Sequence, residues 1–257
     1  MSNTGRCAER EGPGARIAAS LVFAALASVA AGLLGAGDPP AAPAAGAPAQ
    51  TERAPAISDA KGPCTLVGKV PVLPRKAAGA SKGAYAAKGG ERVEPADPPA
   101  SAVWMVGDFA PADPAKTKPA ILAQEGLQFR PALLVVQAGT PVSFPNRDPI
   151  YHSVFSYASA KKLDLGRYRP GEEPPPVVFD KAGCVPLRCE VHDHMYGVIL
   201  VVDSPHFAST DAAGAFRLEG LPSGRHTFRI WLSPKETVER TVELKPGENA
   251  VDWTKAP

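Results

Sequence analysis

Seven consecutive residues, Cys189-Glu-Val-His192-Asp-His194-Met195, set a thiolate, an imidazole and a thioether at the spacing C-x2-H-x2-M. All three side chains leave the chain within one short loop. A mononuclear type 1 copper site asks for that set, with the thiolate and imidazole in a trigonal plane beside a second imidazole, and a distant thioether on the axis. Soft sulfur ligands suit the cuprous ion and imidazoles tolerate the cupric one, so a fixed compromise geometry allows a change of charge with little rearrangement. The chemistry expected is one-electron exchange.

The second imidazole must come from another segment. His152 fits, because it lies upstream, just after the turn Asn146-Arg-Asp-Pro, and begins the apolar run His152-Ser-Val-Phe. His194 is an alternative ligand that competes with His192 for the metal. A Cys-His nucleophile is the enzymatic alternative, and it would need an oxyanion-stabilising loop and a base oriented by a third group, neither of which the sequence offers.

These residues need strands to carry them. Short apolar runs surround them at Leu133 to Gln137, Pro141 to Phe144, His152 to Phe155, Val177 to Phe179, Val185 to Arg188 and Val198 to Val202, with Gly139, Asn146, Pro149, Gly166, Gly171 and Gly183 between. Such a series, with no long segment of helical period, predicts an all-β antiparallel sandwich or barrel. Further runs follow at Ala215 to Leu218, His226 to Leu232, Val238 to Leu244 and Ala250 to Trp253, and two more precede it, at Cys64 to Val72 and Ala102 to Phe109. Phe228, Ile230 and Leu232 alternate with Thr227, Arg229 and Trp231, the period of a strand with one apolar face.

At 257 residues the chain has room for two small domains of about 100 to 150 residues. Its 29 prolines and 24 glycines, about a fifth of the sequence, require loops and linkers as well. Lys and Arg number 28 against 26 for Asp and Glu, and they form no basic cluster, which argues against nucleic acid as a partner. Arg6, Arg10 and Arg16 precede an apolar run from Ile17 to Leu34 and small residues at Gly35 to Gly37, the order of a secretory signal. The run is also long enough to stay as a tilted anchor, so the chain meets a membrane only if residues 1–37 are uncleaved. Either outcome places the rest in the periplasm or cell envelope. Residues 38–60, built from Ala, Pro and Gly, cannot bury enough apolar surface to fold and read as a disordered tether. Three cysteines then face an oxidising compartment. One kept as a ligand, with Cys64 and Cys184 either bridged or simply buried, accounts for the odd number.

Over residues 126–203 the chain resembles the cupredoxin family, most closely its amicyanin and plastocyanin branch. The likeness lies in Val135-Gln-Ala-Gly-Thr-Pro-Val-Ser-Phe, in the six-residue step from Asn146 to His152, and in the C-x2-H-x2-M loop. The resemblance implies a Greek-key sandwich over 121–203 holding one mononuclear copper on His152, Cys189, His192 and Met195. It also implies a role for the Asn146 amide in tethering the ligand loop. Ser153 stands where close relatives often carry Asn, a change expected to loosen the surroundings of the ligands. Asp193 and His194 replace residues that are usually apolar or proline, which makes the copper edge wetter. The binuclear copper centre of terminal oxidases spaces its cysteines C-x3-C, whereas Cys184 and Cys189 are spaced C-x4-C, and multicopper oxidases need about twice the five histidines present here.

Residues 204–257 are similar to the carboxypeptidase regulatory-like, transthyretin-type sandwich, through Thr210-Asp-Ala-Ala-Gly-Ala-Phe and Leu221-Pro-Ser-Gly. They hold too few strands for a whole sandwich. The strands within 61–120 are expected to complete it, so that the copper module is inserted in a discontinuous flanking module or followed by one. The function implied is that of an exported carrier of single electrons, docking redox proteins near His192. The alternative is a copper-sequestering or binding module of the envelope without redox traffic.

Overall fold

The computed structural model describes residues 63–74 and 97–255. The signal or anchor expected over 1–37 and the tether over 38–60 lie outside them. Among the described residues no helix is long and apolar enough to cross a membrane. Every regular element there is a β-strand.

The strands in chain order are β1 (Cys64–Lys69), β2 (Ala102–Met105), β3 (Ala120–Ile121), β4 (Ala123–Gln124), β5 (Phe129–Arg130), β6 (Leu133–Gln137), β7 (Thr140–Ser143), β8 (His152–Tyr157) and β9 (Lys162–Tyr168). They continue as β10 (Val177–Phe179), β11 (Gly183–Arg188), β12 (Tyr196–Val202), β13 (Phe207–Ser209), β14 (Ala215–Leu221), β15 (Gly224–Ser233), β16 (Glu236–Leu244) and β17 (Gly247–Asp252). The longer ones coincide closely with the apolar runs of the sequence, except β9, whose largely polar residues pair with β8 at the sheet edge. The short strands β3, β4, β5 and β13 do not, because so few residues cannot display a period, whereas three-residue β10 was visible as the apolar run Val177 to Phe179.

A five-stranded sheet, β6-β12-β11-β8-β9, faces a three-stranded sheet, β10-β7-β3, across a core that includes Phe129, Phe144, Val154, Phe179, Leu187 and Ile199. The tight β6–β7 turn depends on Gly139, at φ +93°, where the Ala112 carbonyl occupies the space a Cβ would need. Outside this sandwich, β1 lies between β14 and β17, and β2 lies between β13 and β15 in the sheet β13-β2-β15-β16. The two early strands are thus central strands of sheets whose other members all follow residue 206. Leu66, Val103, Phe216, Phe228 and Ile230 form the core between these two sheets.

A third cluster joins the two sandwiches. Ala102 and Trp104 of β2, Leu133 and Val135 of β6, Val198, Leu200 and Val202 of β12, and Trp231 of β15 pack together. The intervening residues of the same strands, Val103, Val136, Ile199, Val201 and Ile230, point into the other cores. Successive side chains on a strand face opposite ways, so β12 and β2 are buried on both faces. That is why Val198-Ile-Leu-Val-Val and Ala102-Val-Trp-Met read as unbroken apolar runs.

Cys64 and Cys184, a bridge allowed by the sequence, are not joined. Cys64 is a buried thiol at the start of β1, opposite Leu221 and Gly247, in the core of the flanking sandwich. Cys184 is on β11 opposite Leu200 and packs against the cluster between the sandwiches. Different sheets hold the two residues in different cores.

Candidate metal centre

Strands β8, β11 and β12 lie side by side in one sheet, β11 antiparallel to both neighbours. The start of β8 therefore meets the end of β11, and the chain crosses 189–195 before returning as β12. This brings His152, the first residue of β8, against Cys189, the residue after β11. Gly197 follows the crossing, and a Cβ there would stand 2.9 Å from the Cβ of buried Phe129, so the returning strand must be bare at that point.

His152 Nδ1 lies 3.9 Å from Cys189 Sγ and 3.1 Å from His192 Nδ1. One ligand atom from each of the three residues lies within 4.8 Å of the others. His152 is fully buried, Cys189 4% exposed and His192 6% exposed, with the two imidazole rings edge to face at 4.9 Å. Met195 is fully buried in the same core as Cys189, and its N–H donates to the His192 carbonyl at 3.0 Å. Two ring nitrogens at 3.1 Å cannot present lone pairs to one another without a proton or a cation to satisfy them. The donor set, two imidazoles and a thiolate beside a buried thioether, is the one copper takes at a type 1 site.

The electrostatics agree with that chemistry. Burial opposes ionisation of Cys189, but the His152 ring and the N–H groups of Ser153, Val191 and His192 outweigh it and hold the thiol below its ordinary range. Burial likewise opposes protonation of His152, and its hydrogen bonds with Cys189 and Asp148 outweigh it and raise the imidazole above its usual value. The pocket favours a thiolate facing a positive charge.

Ser153 does more than its place in the sequence suggests. Its N–H donates to Cys189 Sγ at 3.4 Å, and its Oγ accepts from Glu190 N–H at 2.8 Å. The hydroxyl thus ties β8 directly to the ligand loop. Asn146 acts elsewhere than the resemblance implied. Its amide donates to the carbonyls of Ile150 at 2.8 Å and Tyr168 at 3.4 Å, and its Oδ1 accepts from Asp148 N–H at 3.1 Å. It shapes the turn before His152 rather than the Cys189–Met195 loop, since the carbonyls within its reach belong to its own turn and to β9.

His194 is not among the converging ligands. Its Nε2 lies 3.1 Å from the Leu127 carbonyl, which engages the nitrogen that would compete for a metal. Sequence reasoning missed Asp148, whose Oδ2 is 2.8 Å from His152 Nε2. The available signal was an acidic residue in the turn leading into a candidate ligand histidine.

No family model matches the sequence, and no curated relative does. Among solved structures the chain is similar to a copper-containing nitrite reductase from Thermus scotoductus, at 23% identity over 37% of this chain and 27% of that one, with a TM-score of 0.33. It thus spans about a quarter of that enzyme. It is also similar to a purple cupredoxin from Nitrosopumilus maritimus, at 20% identity over 32% of this chain and 99% of that one, with a TM-score of 0.29. A mutant amicyanin in its Cu(I) form aligns at 19% identity over 39% of this chain and 98% of that one, with a TM-score of 0.31. The likeness is one of strand arrangement, and the chemistry rests on the side chains above.

Proposed function

We propose that the chain is an exported mononuclear type 1 copper protein that carries single electrons between redox partners. The convergence of His152 Nδ1, Cys189 Sγ and His192 Nδ1 within 4.8 Å, beside buried Met195, carries this reading. Copper bound there would supply a one-electron couple. The protein's part is to hold the thiolate with the Ser153 N–H, to exclude water with the core around Cys189 and Met195, and to fix the ring positions before any ion arrives. His192 is the more accessible of the two converging imidazoles, so redox proteins dock at the edge formed with Asp193, His194 and Tyr196. Arg6, Arg10 and Arg16 ahead of the apolar run support export.

The flanking sandwich, built from β1, β2 and β13 to β17 and similar to carboxypeptidase regulatory-like modules, serves as a scaffold into which the copper module 121–203 is inserted. The cluster of Trp104, Trp231, Leu200 and their neighbours supports a fixed pose.

Absorption and electron paramagnetic resonance spectra of the copper-loaded protein test the reading. An intense visible thiolate-to-copper band and a narrow copper hyperfine splitting are expected, and Cys189→Ser removes both. A colourless protein, or colour that survives the substitution, overturns it. Slow bleaching by ascorbate and slow reoxidation by a mediator would instead favour copper sequestration.

A further inference from the structure

Asp148 is buried, 7% exposed, in the turn that leads into β8. Three donors converge on it. Gly126 N–H donates to Oδ1 at 2.7 Å, Leu127 N–H donates to Oδ2 at 2.9 Å, and His152 Nε2 lies 2.8 Å from Oδ2. A carboxylate so surrounded can only accept, so the proton of the histidine contact sits on Nε2. Nδ1 is then the nitrogen that faces Cys189 Sγ and His192 Nδ1.

Gly126 and Leu127 form the turn between β4 and β5, and both have left-handed backbones, φ +65° and +60°. For leucine that conformation is sterically unfavourable, so the bonds to Asp148 offset a local strain. The Leu127 carbonyl is also the partner of His194 Nε2. One turn thus meets both ligand-bearing segments, the start of β8 through Asp148 and the 189–195 loop through His194.

We infer that Asp148 is a positioning residue of this site: braced by the Gly126–Leu127 turn, it selects the ring nitrogen that His152 offers and holds the ring at its spacing from Cys189 and His192. The role in metal binding rests on the copper reading above, whereas the selection of the nitrogen belongs to the metal-free chain as well. A ligand histidine whose second nitrogen donates to a carboxylate is fixed in tautomer and orientation, and loss of such a partner costs about 10- to 100-fold in metal affinity.

Two measurements on the whole protein test this. Long-range proton–nitrogen NMR of the metal-free, 15N-histidine-labelled chain should show His152 protonated at Nε2, and a wild-type ring bare at Nε2 overturns the inference. Cuprous affinity, measured by competition with a chromophoric chelator, should fall about 10- to 100-fold in Asp148→Ala, with the preference for Nε2 protonation lost in its spectrum. His194→Ala, which frees the loop from the turn, should keep that protonation. An Asp148→Ala protein that folds and binds cuprous ion as wild type does also overturns the inference. Should Asp148→Ala fail to fold, Asp148→Asn takes its place, since its single acceptor oxygen cannot serve all three donors. Unchanged affinity there is equally fatal. A wild type that binds no copper defeats the copper reading instead, and the metal-free spectrum still decides the role of Asp148.

Discussion

Ser153 grips the residues that follow β11 at three points: its N–H donates to Cys189 Sγ at 3.4 Å, its Oγ accepts from the Glu190 N–H at 2.8 Å, and its hydroxyl donates to Cys189 Sγ over a longer 3.8 Å. The last two depend on the side chain, and the 3.8 Å one is the weaker, while the backbone donor to the thiolate survives its removal. Ser153→Ala is therefore expected to keep the copper colour while destabilising the protein by about 1 kcal/mol, the net worth of one such hydrogen bond. Urea unfolding followed by both fluorescence and the copper band would show it. Loss of the band in a folded Ser153→Ala protein would mean that the hydroxyl positions the thiolate as well.

Met195 is fully buried, so its thioether could act as an axial ligand, as packing, or as both. Replacement by leucine conserves volume and costs less than about 1.5 kcal/mol when packing alone is at stake. An axial ligand tunes the reduction potential. Met195→Leu should thus leave the melting temperature nearly unchanged and shift the potential measured by voltammetry. An unmoved potential would reduce Met195 to a core residue.

Trp231 lies at 6% exposure in the cluster that joins the two sandwiches. Trp231→Ala should destabilise the protein by about 3 to 5 kcal/mol through the cavity it leaves. Because Leu200 and Val198 share that cluster and β12 reaches the metal loop, the copper band and the far-ultraviolet signal should be lost together, in wild type and in the variant. Calorimetry showing two separate transitions would count against a shared core. By the same reasoning the fragment 204–257 should not fold alone, since it lacks β1 and β2, the strands between which β13, β14, β15 and β17 are divided.

His206, just before β13, packs edge to face on Phe109 at 5.6 Å. Burial, and then repulsion from His226, lower its affinity for a proton below that of an ordinary histidine. The unfolded chain therefore takes up the proton first. This contribution to stability is complete above about pH 6.5 and is lost as the pH falls from there through the folded value. Chemical denaturation of the metal-free protein at about pH 7 and about pH 5 should show a loss that is smaller in His206→Gln. Equal losses in the two proteins would remove His206 from the account.

The ligand loop was legible because its chemistry is local. Cys189, His192 and Met195 lie within seven residues, and any chain that leaves β11 and returns as β12 brings them to one end of the sheet. His152 was legible for a related reason, as an imidazole at the head of an apolar run that had to pair nearby. Period-2 alternation gave the faces of β15, where Phe228 and Ile230 enter one core and Trp231 another.

The partners of those residues were not legible, because they depend on contacts between distant parts of the chain. Ser101 N–H reaches Thr210 Oγ1 across 109 positions, and Asn249 bonds the Thr65 carbonyl across 184. No local period states that β1 will lie between β14 and β17, or that Cys64 and Cys184 will face different cores. The sequence alone, through spacing along a strand and loop, thus singled out His152, Cys189 and His192, whose ligand atoms the fold brings within 4.8 Å of one another. The tertiary structure decided that Asn146 serves its own turn, that Ser153 holds the loop, that His194 is engaged by Leu127 and that Asp148 stands behind His152. A hydrogen bond is short and directional, so its partners are decided only when packing brings separate segments within about 3 Å.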